Sequence, residues 1–97
     1  MTPWYVYLVR CKDGALYTGI ATDVSRRFEE HEQCLDKGAK YLRGKGPLEL
    51  VFSKAIGARG LALRVESKIK RLPKSRKEEL IEQDGMIEQL IAQAMKE

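Results

Sequence analysis

Two short runs of aromatic and β-branched residues, held apart by a turn tripeptide, constrain this chain more than any other feature. Trp4-Tyr5-Val6-Tyr7-Leu8-Val9 and Leu16-Tyr17-Thr18-Gly19-Ile20 have the composition that strands prefer, and Lys12-Asp13-Gly14 between them is a hairpin signal. The loop length decides which tyrosines meet. A two-residue Asp13-Gly14 turn pairs Arg10 with Tyr17 and puts Tyr7 and Tyr17 on opposite faces. A three-residue loop, closed by Gly14 in the left-handed region, pairs Val9 with Tyr17 instead. Tyr5, Tyr7, Tyr17 and Gly19 then share one face. The other face carries Trp4, Val6, Leu8, Leu16, Thr18 and Ile20, which is nearly all apolar and suits a core. That split favours the three-residue loop. It leaves phenols beside a glycine, where a ligand can approach the backbone closely. The plainer alternative is that the rings pack under a helix.

The next segment supplies that helix. Thr22 or Asp23 can cap it, and it is expected to run to about Gln33. Val24, Phe28, His31 and Leu35 recur at the spacing of an inward stripe. Arg27 flanks the stripe, four residues before His31, so the two share a face. Arginine is seldom buried unless paired. An arginine and the chain's single histidine at the edge of a core stripe are therefore candidate site residues. The alternative is an arginine that snorkels beside a satisfied structural histidine.

Beyond it, Asp36 to Gly46 reads as a loop containing Lys40, Tyr41, Arg43 and Lys45. Basic residues around an aromatic suit a strand of phosphates with a base to stack on. Leu48 to Ser53 is a third strand, and a second helix is expected from Ala58 to Leu72, where Pro73 stops it. Its stripe is Leu61, Ala62, Val65, Ile69 and Leu72. Glu66 lies at the border of that stripe among Lys68, Lys70 and Arg71, where an ordinary ion pair is one reading. Ser75-Arg76-Lys77-Glu78 has the form of a capping box opening a short helix to about Gln83. Asp84-Gly85 breaks it, and Met86, Ile87, Leu90, Ile91, Ala94 and Met95 make a last amphipathic helix over about 85–96. The expected fold is α/β: a three-stranded antiparallel sheet (about 4–10, 15–20 and 48–54) flanked by helices.

A chain of 97 residues is expected to form one domain, with a core over about 1–82 and the last helix added to it. No apolar run approaches the roughly 20 residues that span a bilayer. The N-terminus lacks the pattern of a signal peptide. Cys11 and Cys34 form no metal spacing and are read as reduced thiols, so a cytoplasmic location is expected. A monomer is the default. The net charge of +4 conceals an asymmetry: residues 40–77 hold 12 Lys/Arg against Glu49 and Glu66, and residues 78–97 hold six acidic residues against Lys96. Phosphate neutralisation dominates nucleic-acid binding, so the basic middle, Lys68 included, is the expected nucleic-acid surface.

Taken in order, Tyr5-Val6-Tyr7, Tyr17-Thr18-Gly19, then Asp23, Arg27 and His31 resemble the GIY-YIG endonuclease superfamily. The resemblance continues through Gly38-Ala39-Lys40-Tyr41 and Gly46-Pro47-Leu48-Glu49-Leu50 to Glu66, over about the first 80 residues, and is closest to the small stand-alone bacterial, YhbQ-like branch. Tyr5 stands where the family name has glycine and Thr18 where it has isoleucine; the chain contains no asparagine. The resemblance implies a Mg²⁺- (or Mn²⁺-) dependent endonuclease acting on nucleic acid, DNA before RNA, in repair, recombination or processing. It assigns the metal to Glu66 and a general-base role to Tyr7, with His31 taking or relaying the proton. Tyr17 would position water or phosphate, Arg27 would hold the scissile phosphate, and Gly19 would let the phosphate approach the strand. The alternatives are a non-catalytic nucleic-acid-binding module and a protein-interaction module resting on the last helix.

Overall fold

The structure is a computed structural model and describes residues 2–32 and 47–97. Lys40, Tyr41, Arg43 and Lys45, with Cys34 and Leu35, lie outside the described residues. The elements run β1 (Trp4–Arg10), β2 (Leu16–Ala21), α1 (Val24–Glu32), β3 (Glu49–Gly57), α2 (Arg59–Lys70), α3 (Lys74–Glu82) and α4 (Asp84–Met95). The strands form one antiparallel sheet in the order β2-β1-β3, the architecture expected from the sequence.

The hairpin has the three-residue loop. Val9 pairs with Tyr17, Tyr7 with Gly19 and Tyr5 with Ala21. Cys11 N–H donates to Ala15 O at 2.8 Å and Gly14 N–H to Cys11 O at 2.9 Å, while Asp13 Oδ1 accepts from Ala15 N–H at 3.0 Å. Gly14 has φ 88°, a left-handed value that suits glycine.

That register sorts the side chains into two cores. Val6 and Leu8 of β1, with Leu16 and Ile20 of β2, pack against Val65 and Ile69 of α2, Leu80 of α3, and Ile87 and Ala94 of α4. The opposite face is smaller: Tyr7, Val9 and Ala21 lie with Tyr17, Val24, Phe28 and Leu48, covered by α1. Asp23 caps α1, its Oδ1 accepting from Arg26 N–H at 3.1 Å. Thr18 points into the larger core at 3 % exposure, and its hydroxyl has no hydrogen-bond partner among the described residues.

Four boundaries differ from expectation. β3 extends to Gly57, whose φ of 131° ends the strand. α2 stops at Lys70, with Arg71 as its C-cap, because Pro73 already stands in extended conformation as the N-cap of α3. The capping box does not form: Ser75 lies inside α3 and makes no cap. Glu78 instead accepts two hydrogen bonds from the Arg10 guanidinium, both at 2.7 Å, tying α3 to the end of β1. The break before α4 falls at Gln83, in extended conformation, so Asp84 and Gly85 open the last helix rather than separate it. Among the described residues no helix is long and apolar enough to cross a membrane.

Two stability effects are expected. Thr18→Val removes an unpaired hydroxyl from an apolar site and should raise stability by about 1 kcal/mol in urea denaturation. The Arg10–Glu78 pair is about one-third exposed on each side, so Glu78→Gln should cost only about 1 kcal/mol. Bonding to Arg10 holds the Glu78 carboxyl below its ordinary value of 4.5. Its contribution should therefore be constant above that value and fade as pH falls through the lower, folded-state value. Denaturation of both proteins at stepped pH checks this; a difference that grows on acidification would contradict it.

Candidate active site

Because Tyr7 faces Gly19 across the β1–β2 ladder, the phenol ring lies directly over the glycine. A Cβ built on Gly19 would fall 2.5 Å from Tyr7 Oη and 2.6 Å from Cζ, far inside contact distance. The glycine is thus required by the chain's own tyrosine. In this structure the space above Gly19, where the sequence expectation placed an approaching phosphate, holds the Tyr7 ring.

Passing over Gly19, the Tyr7 hydroxyl reaches His31 on α1. Oη and Nε2 are 2.9 Å apart, and each residue is only 1 % exposed. The helical stripe Val24, Phe28, His31 turns the imidazole toward the sheet, as the sequence spacing predicts. Tyr17, from the neighbouring strand, completes a cluster of three rings. Its centroid is 6.4 Å from that of Tyr7 and 5.6 Å from that of His31, the latter edge-on at 71°. Tyr5 shares the sheet face but borders a separate open cleft beside the start of α1, with Thr22 and Ser25.

Burial sets the protonation of the pair. It pushes the Tyr7 phenol up to about 12, with Tyr17 adding to the rise and Arg27 opposing it. It lowers the His31 imidazolium below the usual 6.5, and the nearby Arg27 cation lowers it further against the pull of Glu30. Near neutral pH both groups are therefore uncharged. In the tautomer with the imidazole proton on Nδ1, Tyr7 O–H donates and Nε2 accepts through its lone pair.

Arg27 stands at the mouth of this cluster. Its guanidinium lies within hydrogen-bonding reach of the Tyr7 hydroxyl, and its Nη1 donates to Glu30 Oε1 at 3.0 Å. Glu30, which also takes Arg26 at 3.8 Å, holds the fork in place while the side chain stays 32 % exposed. Glu30 was not among the residues expected at the site. The signal for it was present as an acid three and four residues after two arginines on one helix.

Glu66, from α2, is 16 % exposed and faces Lys70 at 3.6 Å. Its charge reaches Tyr7 and contributes to the raised phenol value. The described residues contain no cluster of three or more His, Cys, Asp or Glu that could enclose a metal ion. Such a donor set, one largely buried carboxylate held loosely by a single lysine, fits Mg²⁺, which keeps most of its waters and uses few protein oxygens. It does not fit a zinc cage.

The Lys68 ammonium donates to Glu97. Lys54 is similarly bonded to Glu88 at 2.8 Å.

A strand-borne tyrosine on a helical histidine, with an arginine one turn before it, is the geometry that the motif order foreshadows. The GIY-YIG catalytic domain matches residues 3–79. The chain belongs to the GIY-YIG family. Among its relatives is a UPF0213 protein of Citrobacter koseri, 56 % identical over 92 residues, which are 95 % of this chain and 90 % of that one. The UPF0213 protein YhbQ of Salmonella arizonae is 53 % identical over the same shares, which places this chain in the YhbQ-like branch. The solution NMR structure of a UPF0213 protein from Bacillus halodurans is similar, with a TM-score of 0.52 and 46 % identity over 81 % of this chain and 82 % of that one.

Gly19→Ala should displace the Tyr7 ring and cost about 1–3 kcal/mol of stability, the usual range for overpacking. In a Tyr7→Leu background the atoms that the new methyl meets are gone, so the cost should shrink markedly. A thermal-denaturation double-mutant cycle measures this. Equal costs in the two backgrounds would show that Gly19 serves something other than Tyr7.

Proposed function

We propose that this GIY-YIG chain is a metal-dependent endonuclease that hydrolyses nucleic-acid phosphodiester bonds, DNA before RNA, in repair, recombination or processing. The observation that carries the reading is the buried 2.9 Å bond from Tyr7 to His31 with Arg27 beside it. A phenol held at about 12 is a poor base by itself at neutral pH. Coupled to a neutral imidazole it becomes a competent one. Tyr7 Oη takes the proton of an attacking water as its own proton passes to His31 Nε2. The new P–O bond forms and the bond to the leaving oxygen breaks, that oxygen taking a proton from solvent water as it departs. Arg27, pre-oriented by Glu30, stabilises the negative phosphoryl oxygens with its planar donors. Tyr17 orients the water or the phosphate. Glu66 would hold Mg²⁺ (or Mn²⁺), which supplies further charge stabilisation at phosphorus. Lys40, Tyr41, Arg43 and Lys45 would contact the strand outside the reacting centre.

A second reading has its own support. With Tyr7 and His31 each 1 % exposed, their bond can serve packing alone, leaving a module that binds nucleic acid without cutting it.

The test is nicking of a panel of DNA and RNA structures with Mg²⁺ and with chelator. Wild type should cut only with metal. Tyr7→Phe should lose about 10²-fold or more in rate, the ordinary scale of a lost general base. Glu66→Gln should lose cleavage while retaining metal-free binding. The wild-type rate should rise with pH through a value below 6.5 and then level, because His31 must be neutral to accept the proton. Binding without cutting on every substrate would establish the second reading.

A further inference from the structure

Trp4, the chain's single tryptophan, takes no part in the chemistry above. Strand alternation places it on the same face as Val6 and Leu8, yet it does not join their buried cluster and keeps part of its surface, less than about a third, open to solvent. It borders two depressions. One, of about 280 Å³, also contains Ile20, Arg26 and Arg27; the other, of about 360 Å³, contains Pro3, Gly57 and Arg59. The Arg59 guanidinium carbon stands 5.5 Å from the indole centroid, a cation–π contact.

We infer that Trp4, braced by Arg59, is a stacking platform for an unpaired base of the strand whose phosphate Arg27 holds. The inference rests on the nuclease reading and adds a substrate class to it: single-stranded or locally unpaired nucleic acid. An indole offers its π-face to any base without regard to sequence, and neighbouring guanidiniums match the phosphates on either side. The occupant follows from that combination, because Trp4 lines one cleft with Arg26 and Arg27, beside Asp23 and Glu30, and Arg59 lines the depression on its other side. Bases within a duplex are already stacked on one another, so a tryptophan at a cleft rim engages only a base that is out of the stack. Arg59 fixes the ring in advance and thereby reduces the ordering cost of binding.

Trp4 is the only tryptophan, so intrinsic fluorescence reports on this position alone. Titration with a single-stranded oligonucleotide in chelator, without cleavage, should quench the emission to saturation. A blunt duplex of the same sequence should quench it weakly. In anisotropy measurements Trp4→Ala should weaken single-strand binding about tenfold and duplex binding less than twofold, with Trp4→Phe in between. Arg59→Ala should weaken single-strand binding in the same direction. Circular dichroism confirms that each variant folds, and Trp4→Phe keeps the question open to measurement if Trp4→Ala does not. Equal losses on both substrates, or single-strand binding that leaves emission and the Trp4→Phe affinity unchanged, would overturn the stacking platform and leave the nuclease reading standing. Absence of binding to any nucleic acid would overturn both.

Discussion

The register of one hairpin governs this molecule. Side chains alternate on a strand, so a slip of one residue would send Tyr17 into the apolar core and Leu16 out to α1. The three-residue Lys12-Asp13-Gly14 loop, with Gly14 at φ 88°, prevents that slip by pairing Val9 with Tyr17. Everything at the candidate site follows from the pairing. It sets Tyr7 against Gly19, and the missing Cβ lets the phenol lie flat enough for its hydroxyl to reach His31. A local turn preference is thus converted, over two strands and a helix, into a buried tyrosine–histidine hydrogen bond.

Electrostatics inside the site are arranged around that geometry. Arg27 acts in the same direction on both members of the pair: its charge lowers the phenol and lowers the imidazolium. The first effect offsets part of the burial that holds the proton on Tyr7. The second keeps His31 able to accept it. Glu66 acts the other way on Tyr7, so a cation offsetting that carboxylate would ease loss of the phenol proton. The residues differ in chemical type, yet their charges bear on one proton.

Much of this was legible in the sequence because it depends on short-range rules. Strand composition, turn chemistry and the helical stripe identified the sheet, the phenol face and the Arg27/His31 pair before any coordinates. What escaped depends on contacts between distant segments. Ser75 to Glu78 satisfies the pattern of a capping box, but Arg10, far away in sequence, takes the glutamate through a bidentate bond. The contact that Gly19 makes was also hidden, since a glycine beside an aromatic face reads equally well as space for a ligand or space for a side chain. Only the structure shows the side chain there, with Tyr7 Oη 2.5 Å from where a Cβ on Gly19 would stand.

The charge asymmetry teaches the same lesson on a larger scale. Along the chain, the basic middle and acidic end look like separate surfaces, one of them ready for phosphates. In space α4 packs against α2, and acids of the last segment lie on bases of the middle: Glu88 on Lys54, Glu97 on Lys68. Glu97 also feels Arg64 and Arg71, which hold its carboxyl below the ordinary range behind the larger effect of Lys68. Net charge per segment therefore overstates what this face offers a nucleic acid. Exposed pairs of this kind are individually weak, and a polyanion with many phosphates competes well against them. Around the cleft itself Arg27 is held by Glu30 and Trp4 lies against Arg59, so on the proposed reading discrimination among nucleic acids rests there.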